Sequence, residues 1–438
     1  MFLLFPLPVL ARTLLTTLIA LLTLVGIMTR PFRWNEALIA LAGAALLLLL
    51  GLISPLAALQ TLLGDWNVFL FFLGMMALSA FADQAGLFDW LAIVAARLAR
   101  RRARLLLLNV FLLGSLISMV LSNDATALIL TPVVYTLVTR LRLPVIPFLF
   151  ACTFIADTAS FLLPVSNPIN ILVLSRFQLD LWTFVRLLWL PALAVIAVNI
   201  GIFFWLYRRE VRGGFDPKRL PAAREAIKEP GYFRYCCLVL GVVAVAYVVA
   251  SASGFPLSCV ALAGALLLLI GAVRWHQFRP RALASHISWS LFGFIAGMFV
   301  IVQAVEETGL TRLFGELLWH LSGGSSLGAV LVGTLGAALG TNLINNVPMA
   351  VVLSASLQAL HGQISPTTQL AFVVATIFGC DLGPNLTTVG SLATVLWLLI
   401  LRQRRLDVSG LDYFKVGILV TPLMLLVGAI LIWLLLLA

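Results

Sequence analysis

The stretch IADTASFLLPVSNPIN, residues 155–170, places an acidic residue, two amides and two prolines inside a run that is otherwise apolar enough for a membrane. Pro164 and Pro168 cannot continue a regular helix, because proline has no backbone N–H to donate. Irregular backbone at membrane depth is tolerated only where it is buried in protein or lines a cavity. The stretch therefore predicts a broken helix whose ends line a site.

The rest of the chain has the composition of an integral membrane protein. Of its 438 residues, 62% are hydrophobic and 10% are charged, whereas a soluble domain has roughly 45–50% apolar and about 25% charged residues. Apolar runs approach the roughly 20 residues that cross hydrocarbon as a helix. They predict an all-α polytopic membrane protein with about 10 transmembrane helices. The predicted spans are 13–29, 36–58, 66–83, 145–175, 182–207, 234–253, 256–274, 286–306, 367–400 and 412–437.

The net charge of +11 comes from Lys and Arg placed between the apolar runs. The positive-inside rule explains this placement better than nucleic-acid binding does, because no soluble domain is present to carry such binding. Basic clusters at 30–33, 97–104, 140–142 and 402–405 are predicted to be cytoplasmic, together with the linker 208–233. This orientation puts both termini outside.

Two further apolar stretches, 105–140 and 327–360, are interrupted by polar residues. Each predicts a re-entrant hairpin of two half-length helices. The linker 208–233 divides the chain into a first repeat, 1–207, and a second repeat, 234–438. In each repeat the hairpin is followed by a broken helix, at 145–175 and at 367–400.

The two halves of the chain share the order of their motifs, although few of the aligned residues are identical. Shifted by 223–224 residues, SNDATALIL (122–130) lies on NNVPMAVVL (345–353), and ADTASFLLPVSNPIN (156–170) lies on CDLGPNLTTVGSLAT (380–394). Each half has an odd number of predicted spans, so the two copies face opposite ways. Such inverted-topology repeats build many secondary transporters, which bind substrate near the midplane where discontinuous helices meet.

Three carboxylates lie in the breaks and hairpin tips: Asp157, Asp381 and Asp124. An ionisable group inside a membrane is costly and indicates function by default, so these are candidates for proton coupling, with helix capping as the alternative. Neighbouring amides and hydroxyls suit a hydroxylated neutral substrate, and equally suit the freed backbone groups. Helix N-termini would also suit an anion, although the motifs contain no Lys or Arg. The candidate substrate-binding residues are Ser122, Asn123, Asn345, Asn346, Ser166, Asn167, Asn170, Thr387, Thr388 and Ser391.

Five cysteines form no CxxC pair and have no accompanying histidine cluster, which predicts neither a metal site nor a cofactor. Cys152 and Cys380 lie near the predicted helix breaks and leave open a thiol ligand for a soft metalloid. No GxxxxGK[ST] or HExxH motif is present, and no nucleophile–base constellation predicts an enzyme.

Four motifs resemble the arsenical pump membrane protein family, the arsenite and antimonite permeases of the wider ion transporter superfamily. The resemblance covers essentially the whole chain and implies efflux of As(OH)3 and Sb(OH)3 across the bacterial inner membrane in exchange for protons. Some family members associate with a cytosolic ATPase, which would dock on the basic loops. The motifs are SNDATALILTPVV (122–134), FIADTASFLLPVSNPIN (154–170), NLINNVPM (342–349) and CDLGPNLTTVGSLATVLW (380–397).

The superfamily resemblance leaves alternatives open. A sodium- or proton-coupled carrier of a dicarboxylate or of silicic acid would share the same architecture, and a channel subunit of an ATPase-driven pump would share the same substrate. The second tip reads NNVP at 345–348, where many superfamily members have an acidic residue before the Asn. This difference weakens the hypothesis that transport is coupled to sodium.

Overall fold

The computed structural model describes residues 8–29 and 34–437, and within these ranges the regular structure is helical. Ten helical segments of the described chain are long and apolar enough to cross a membrane. The predicted class, an all-α polytopic membrane protein, is confirmed. The predicted cytoplasmic cluster 30–33 lies outside the described residues. The ten segments are Val9–Thr29, Trp66–Gln84, Ala103–Val120, Leu181–Leu206, Pro230–Ala252, Leu257–Arg274, Pro280–Glu306, Ser326–Ile344, Pro366–Leu386 and Gly410–Leu437.

The first half of the chain runs through a set of helices that ends in a long closing helix. A five-residue π turn, Thr126–Leu130, joins the short helix Asn123–Ala125 to the helix Thr131–Arg140. The helices are α1 (Val9–Thr29), α2 (Glu36–Leu49), α3 (Pro55–Gly64), α4 (Trp66–Gln84), α5 (Leu87–Leu98), α6 (Ala103–Val120), α7 (Asn123–Ala125), α8 (Thr131–Arg140), α9 (Ile146–Thr158), α10 (Pro168–Phe177) and α11 (Leu181–Leu206).

The second half passes through the same kinds of element in the same order: two helices, a short helix, a long helix, an amphipathic helix, a hairpin, a broken helix and a closing helix. The helices are α12 (Pro230–Ala252), α13 (Leu257–Arg274), α14 (Pro280–His286), α15 (Trp289–Glu306), α16 (Leu310–Leu321), α17 (Ser326–Ile344), α18 (Asn346–Gln358), α19 (Pro366–Leu382), α20 (Leu392–Gln403) and α21 (Gly410–Leu437).

The two halves pack on each other reciprocally. Helix α4 lies against α13, α2 lies against α15, and the closing helices α11 and α21 contact each other. A Cβ on Gly74 of α4 would lie 2.5 Å from the Cβ of Ala261 in α13, and a Cβ on Gly297 of α15 would lie 2.8 Å from that of Ala40 in α2. Small residues allow helix backbones to approach closely in membranes. The order and packing are those that an internal repeat predicts; inversion of one half relative to the other stays a prediction.

The predicted span 36–58 is wrong as a single helix. Helix α2 ends at Leu49, and Gly51 has φ +67°, a left-handed conformation that glycine adopts without steric cost. Ser54 then caps α3, accepting a hydrogen bond from the backbone N–H of Ala57. The apolar composition of this region predicts one continuous helix, although Gly51 and the pair Ser54–Pro55 are ordinary helix-end signals.

The first arms of the two predicted hairpins are longer than half-length. Helix α6 has 18 residues and α17 has 19, so each is about 27–29 Å long at 1.5 Å per residue, close to the roughly 30 Å of the hydrocarbon core. The chain turns after α6 at Leu121 and Ser122, and after α17 at Asn345. Re-entry of these hairpins stays a prediction.

Candidate functional site at the two helix breaks

Helices α9 and α10 are separated by residues 159–167, which we call the first break. It contains one 3-10 turn, Pro164–Ser166. Asn167 has extended backbone and caps α10, its Oδ1 accepting a hydrogen bond from the backbone N–H of Ile169 at 3.2 Å. Pro168 occupies the first turn of α10, where a missing N–H costs nothing.

Helices α19 and α20 are separated by residues 383–391, the second break. This segment also contains a 3-10 turn, Gly383–Leu386. Ser391 has extended backbone and caps α20, its Oγ accepting from the backbone N–H of Thr394 at 3.2 Å. Under the 224-residue shift, Ser391 is equivalent to Asn167. The two breaks therefore present equivalent capping residues at the starts of α10 and α20.

Each capping residue also reaches the carboxylate of the other half. The Nδ2 of Asn167 donates to Asp381 Oδ1 at 2.6 Å, and the Oγ of Ser391 donates to Asp157 Oδ2 at 3.3 Å. Asp157 is 1% exposed and Asp381 is fully buried. Because the hydrogen bonds cross between halves, the two breaks form one buried polar centre.

Asp157 connects three segments of the chain. The Nδ2 of Asn123, at the first hairpin tip, donates to its Oδ1 at 3.3 Å. Its Oδ2 accepts from Thr394 Oγ1 at 3.4 Å as well as from Ser391. These contacts are long for hydrogen bonds, and together they tie the first tip and the second break to the end of α9.

Four buried acceptor atoms at this centre have no hydrogen-bond partner among the described residues: Asp381 Oδ2, Asn170 Oδ1, Asn385 Oδ1 and Asn199 Oδ1. The side-chain N–H groups of Asn385 and Asn199 both donate to Thr158 Oγ1, at 3.0 and 2.9 Å. A buried polar group left unpaired costs about 1–3 kcal/mol. Such a set suits protons or a ligand rich in O–H donors.

Two predicted substrate-binding serines satisfy backbone groups. Ser122 Oγ accepts from the backbone N–H of Ala125 at 3.1 Å. Ser166 Oγ accepts from the N–H of Leu163 at 3.2 Å and donates to the carbonyl of Met119 at 3.3 Å. Both hydroxyls shape the first tip and first break, and neither is hydrogen-bonded to a carboxylate.

The second tip is bound to the second break mainly through backbone atoms. Asn345 has φ +75°, and its Nδ2 donates to the carbonyl of Val389 at 3.4 Å. The backbone N–H of Asn346 donates to the carbonyl of Gly390 at 3.0 Å. A Cβ on Gly390 would lie 2.5 Å from Pro384 Cα, so only glycine fits there without a shift. Asn346 therefore differs from its equivalent, Asn123, which contacts a carboxylate.

The two predicted threonines lie elsewhere in the second break. Thr387 Oγ1 donates to Asn342 Oδ1 at 2.6 Å, and Asn342 Nδ2 donates to the carbonyl of Gly383 at 2.9 Å. Thr388 Oγ1 lies beside Gly410, at the start of α21. Thr387 thus stabilises the break internally, and neither threonine is hydrogen-bonded to Asp157 or Asp381.

Asp124 lines a separate cavity of about 30 Å³, with Ser79 and His286 among its neighbours. A volume of that size holds about two water molecules. His286 Nε2 lies 3.3 Å from Asp83 Oδ2, and Nδ1 lies 2.8 Å from the carbonyl of Ala282. Since both neighbours are acceptors, the ring satisfies both only when both nitrogens carry a proton.

The chain is similar to a known transporter family and to known proteins along most of its length. The model of the citrate transporter family matches residues 20–377. The arsenical pump membrane protein of Escherichia coli strain K12 is 32% identical over 420 residues, which cover 93% of this chain and 95% of that protein. The chain belongs to the arsenical pump membrane protein family. The resemblance carried by the four motifs is thereby confirmed.

A further arsenical pump relative and two solved structures are also similar to this chain. The putative arsenical pump membrane protein of Bacillus subtilis strain 168 is 27% identical over 424 residues, covering 92% of this chain and 95% of the relative. The YdaH transporter of Alcanivorax borkumensis has a TM-score of 0.58 at 15% identity, covering 97% of this chain and 98% of its own. Neisseria gonorrhoeae MtrF has a TM-score of 0.52 at 12% identity, covering 99% and 96%. These two structures show a shared fold.

Four residues of this arsenical pump family member's polar centre were not predicted from the sequence: Thr158, Asn199, Asn385 and Thr394. Asn199 is a single amide inside α11, a 26-residue apolar helix. A lone polar residue in a membrane helix itself indicates function, so the sequence contains the signal that would identify Asn199. Asn385 and Thr394 lie within the fourth motif, and no spacing in that motif distinguishes them from Thr387 and Thr388.

Two buried cysteines of this arsenical pump family member flank the centre along the chain. Cys152 lies on α9 and Cys380 immediately precedes Asp381 on α19; both are fully buried free thiols. In the described part of the chain, no group of three or more His, Cys, Asp and Glu side chains could hold a metal ion. The side chains that meet at the centre are carboxylates, amides and hydroxyls, which offer hydrogen-bond donors and acceptors.

Proposed function

We propose that the protein exports arsenite and antimonite, as neutral As(OH)3 and Sb(OH)3, across the bacterial inner membrane in exchange for protons. Membership of the arsenical pump family supports the substrate class. The buried centre between the two breaks supports the chemical form of the substrate and the coupling to protons.

The set of unpaired acceptors is the observation that carries the proposal. Asp381 Oδ2 and the amide oxygens of Asn170, Asn385 and Asn199 are buried without donors in the described structure. As(OH)3 presents three O–H donors and no net charge, which matches a set of buried acceptors that lack donors. A dicarboxylate would bring more acceptors and negative charge to them, at a desolvation cost that no Lys or Arg in either break offsets.

The two central carboxylates have different surroundings, and we assign them different roles. Asp157 accepts from three side chains and holds the first tip to the second break. Asp381 accepts one short hydrogen bond from Asn167; Ser160 and Asn170 interact with the carboxylate more weakly, and Oδ2 has no partner at full hydrogen-bond geometry among the described residues. Asp381 is therefore the better candidate to take and release a proton, and Asp157 the better candidate to position the substrate-binding side chains.

The buried state of the centre fits alternating access. Asp157 and Asp381 have almost no solvent exposure, so substrate reaches them after one group of helices moves against another. Because the hydrogen bonds between the breaks cross from one half to the other, such a motion would remake them. Binding and coupling would then depend on the same contacts.

Transport by the purified chain alone tests the function. Reconstituted in vesicles with an imposed proton gradient, the protein is expected to concentrate arsenite against its gradient, and antimonite should compete. A sodium gradient alone should give no accumulation, and silicic acid should compete weakly. Accumulation that requires sodium would favour the symporter alternative, and transport only after adding a cytosolic ATPase would favour the pump subunit.

We propose that protons reach the centre by way of the cavity beside Asp124, because Asp124 directly follows Asn123, whose side chain contacts Asp157. It has room for water, and His286, which lines it, has its Nε2 3.3 Å from Asp83 Oδ2, with the two side chains 26% and 32% exposed. We expect His286→Gln to slow proton-driven uptake severalfold without changing the final accumulation, because a route affects rate and not driving force. Initial uptake rates would be compared with those of His320→Gln, which alters an exposed histidine of α16. Equal rates in both variants would contradict this role.

A further inference from the structure

A basic cavity of about 410 Å³ lies between the start of α6 and the end of α11, far along the chain from the polar centre. Three arginines line it: Arg104 of α6, Arg208 just after α11, and Arg212 of the following loop. All three are exposed. The cavity is distinct from the breaks and from the cavity of Asp124, and the transport proposal makes no use of it.

These three guanidinium groups have no acidic partner among the described residues. Glu210, the acidic residue nearest to them in sequence, forms no ion pair with any of them in that part of the chain. Arg104 also lies in the first turn of α6, where the helix dipole is unfavourable to a cation. Its guanidinium stacks over the ring of Phe204 at 4.8 Å. An anion in the cavity would offset this concentration of positive charge.

Backbone pairing holds together the two segments that carry Arg104 and Arg212. The N–H of Ala103 donates to the carbonyl of Gly213 at 3.0 Å, and the N–H of Phe215 donates to the carbonyl of Arg101 at 2.9 Å. Val211 is 2% exposed, which anchors the loop between Arg208 and Gly213. The basic groups therefore converge through a built arrangement rather than through random surface placement.

The cavity also touches the face of α11 that would contact lipid. Trp205 is 59% exposed, and tryptophan is typical of the interface between headgroups and hydrocarbon. One turn earlier, Gly201 has open space where a side chain would lie. An acyl chain can follow this face of α11 while its headgroup reaches the arginines.

We propose that this cavity binds the headgroup of an anionic phospholipid, with the phosphate between Arg104, Arg208 and Arg212 and the acyl chains against α11. Basic pockets at the ends of membrane helices recognise such headgroups. A free phosphate ion has the same anionic chemistry but gains nothing from Trp205 and the open face at Gly201. The apolar flank therefore favours lipid.

Native mass spectrometry of the full chain in detergent tests this proposal, with phosphatidylglycerol and phosphatidylcholine as probes. The wild type should retain phosphatidylglycerol preferentially. The triple variant Arg104→Gln/Arg208→Gln/Arg212→Gln should lose affinity for it by about a hundredfold, as removal of three basic contacts predicts. The charge-matched variant Arg224→Gln/Arg279→Gln/Arg281→Gln removes three arginines that do not line the cavity and should bind as the wild type does.

Several results would overturn the lipid site. Equal losses in the two triple variants would mean diffuse attraction to total charge. Displacement of the lipid by millimolar inorganic phosphate would mean a free-anion site. Equal retention of the two lipids by the wild type would leave an acidic protein surface as the better partner for these arginines. The measurement involves no transport, so its outcome is independent of the transport proposal.

Discussion

Replacing Asp381 by asparagine is expected to abolish proton-driven accumulation of arsenite and to leave exchange of arsenite across the vesicle wall in place. Asparagine has nearly the same shape as aspartate, and its Oδ1 can still accept the short hydrogen bond from Asn167. It cannot take up a proton at the position of Asp381 Oδ2, the buried oxygen without a partner in the described structure. The amide oxygens of Asn170, Asn385 and Asn199 still offer acceptors to the substrate, which can bind and cross, but no proton returns in exchange.

The size of this effect follows from the driving force. A gradient of about one pH unit is worth about 1.4 kcal/mol, which supports about tenfold accumulation for each proton exchanged. Membrane voltage adds about 2.3 kcal/mol per charge for each 100 mV. In everted vesicles the wild type should exceed tenfold accumulation, while Asp381→Asn should reach roughly equal concentrations on both sides.

A matched control separates coupling from a general loss of charge. Asp412 lies at the start of α21 with an exposed side chain, so Asp412→Asn removes one carboxylate without touching the centre. It should accumulate arsenite like the wild type. If Asp381→Asn still concentrates arsenite while its gradient persists, Asp381 does not carry the proton.

The position of both central carboxylates could be predicted from sequence because local chemistry determines it. Inside an apolar run, Asp157 precedes a cluster of proline and polar residues, and Asp381 precedes a cluster of proline, glycine and polar residues. Such a run must break where proline or glycine interrupts its helix. Their equivalence also followed from the 224-residue shift. No long-range information was needed for either conclusion.

The hydrogen bonds between the halves could not be predicted in this way. Asn167 follows Asp157 by ten residues, yet its side chain bonds to Asp381, 214 positions later. Asn199 meets Asn385 at Thr158 because α11 packs beside α9. Sequence spacing shows which residues lie in the same segment. Tertiary packing determines which segments contact the same carboxylate.

Asp124 illustrates the same limit at short range. It directly follows Asn123, whose side chain contacts Asp157, but Asp124 lines another cavity with His286. Successive residues in the first turn of a helix point about 100° apart. Adjacency in the first motif therefore suggested a shared role for two side chains that the helix directs to different places.

Replacing Asp157 by asparagine is expected to abolish arsenite exchange as well as proton-driven accumulation. Asp157 Oδ1 accepts from Asn123, and Oδ2 accepts from Ser391 and Thr394. An amide offers only one acceptor oxygen, so one side of this set must face an NH2 group. Either Asn123 loses its acceptor, or the two hydroxyls must turn to accept and give up donation to the carboxylate. The first tip and the second break then lose the group that aligns them for substrate.

Comparison with Ser391→Ala makes the test specific. In that variant Thr394 still donates to Asp157 Oδ2, so exchange should fall only severalfold, whereas Asp157→Asn should reduce it to the level of empty vesicles. Size-exclusion profiles of the purified variants would show that both remain folded, because the asparagine is close in shape to the carboxylate it replaces. The opposite pattern, with exchange kept in Asp157→Asn and lost in Asp381→Asn, would reverse the two roles. The pair of exchange and accumulation assays thereby assigns one function to each carboxylate, which neither assay does alone.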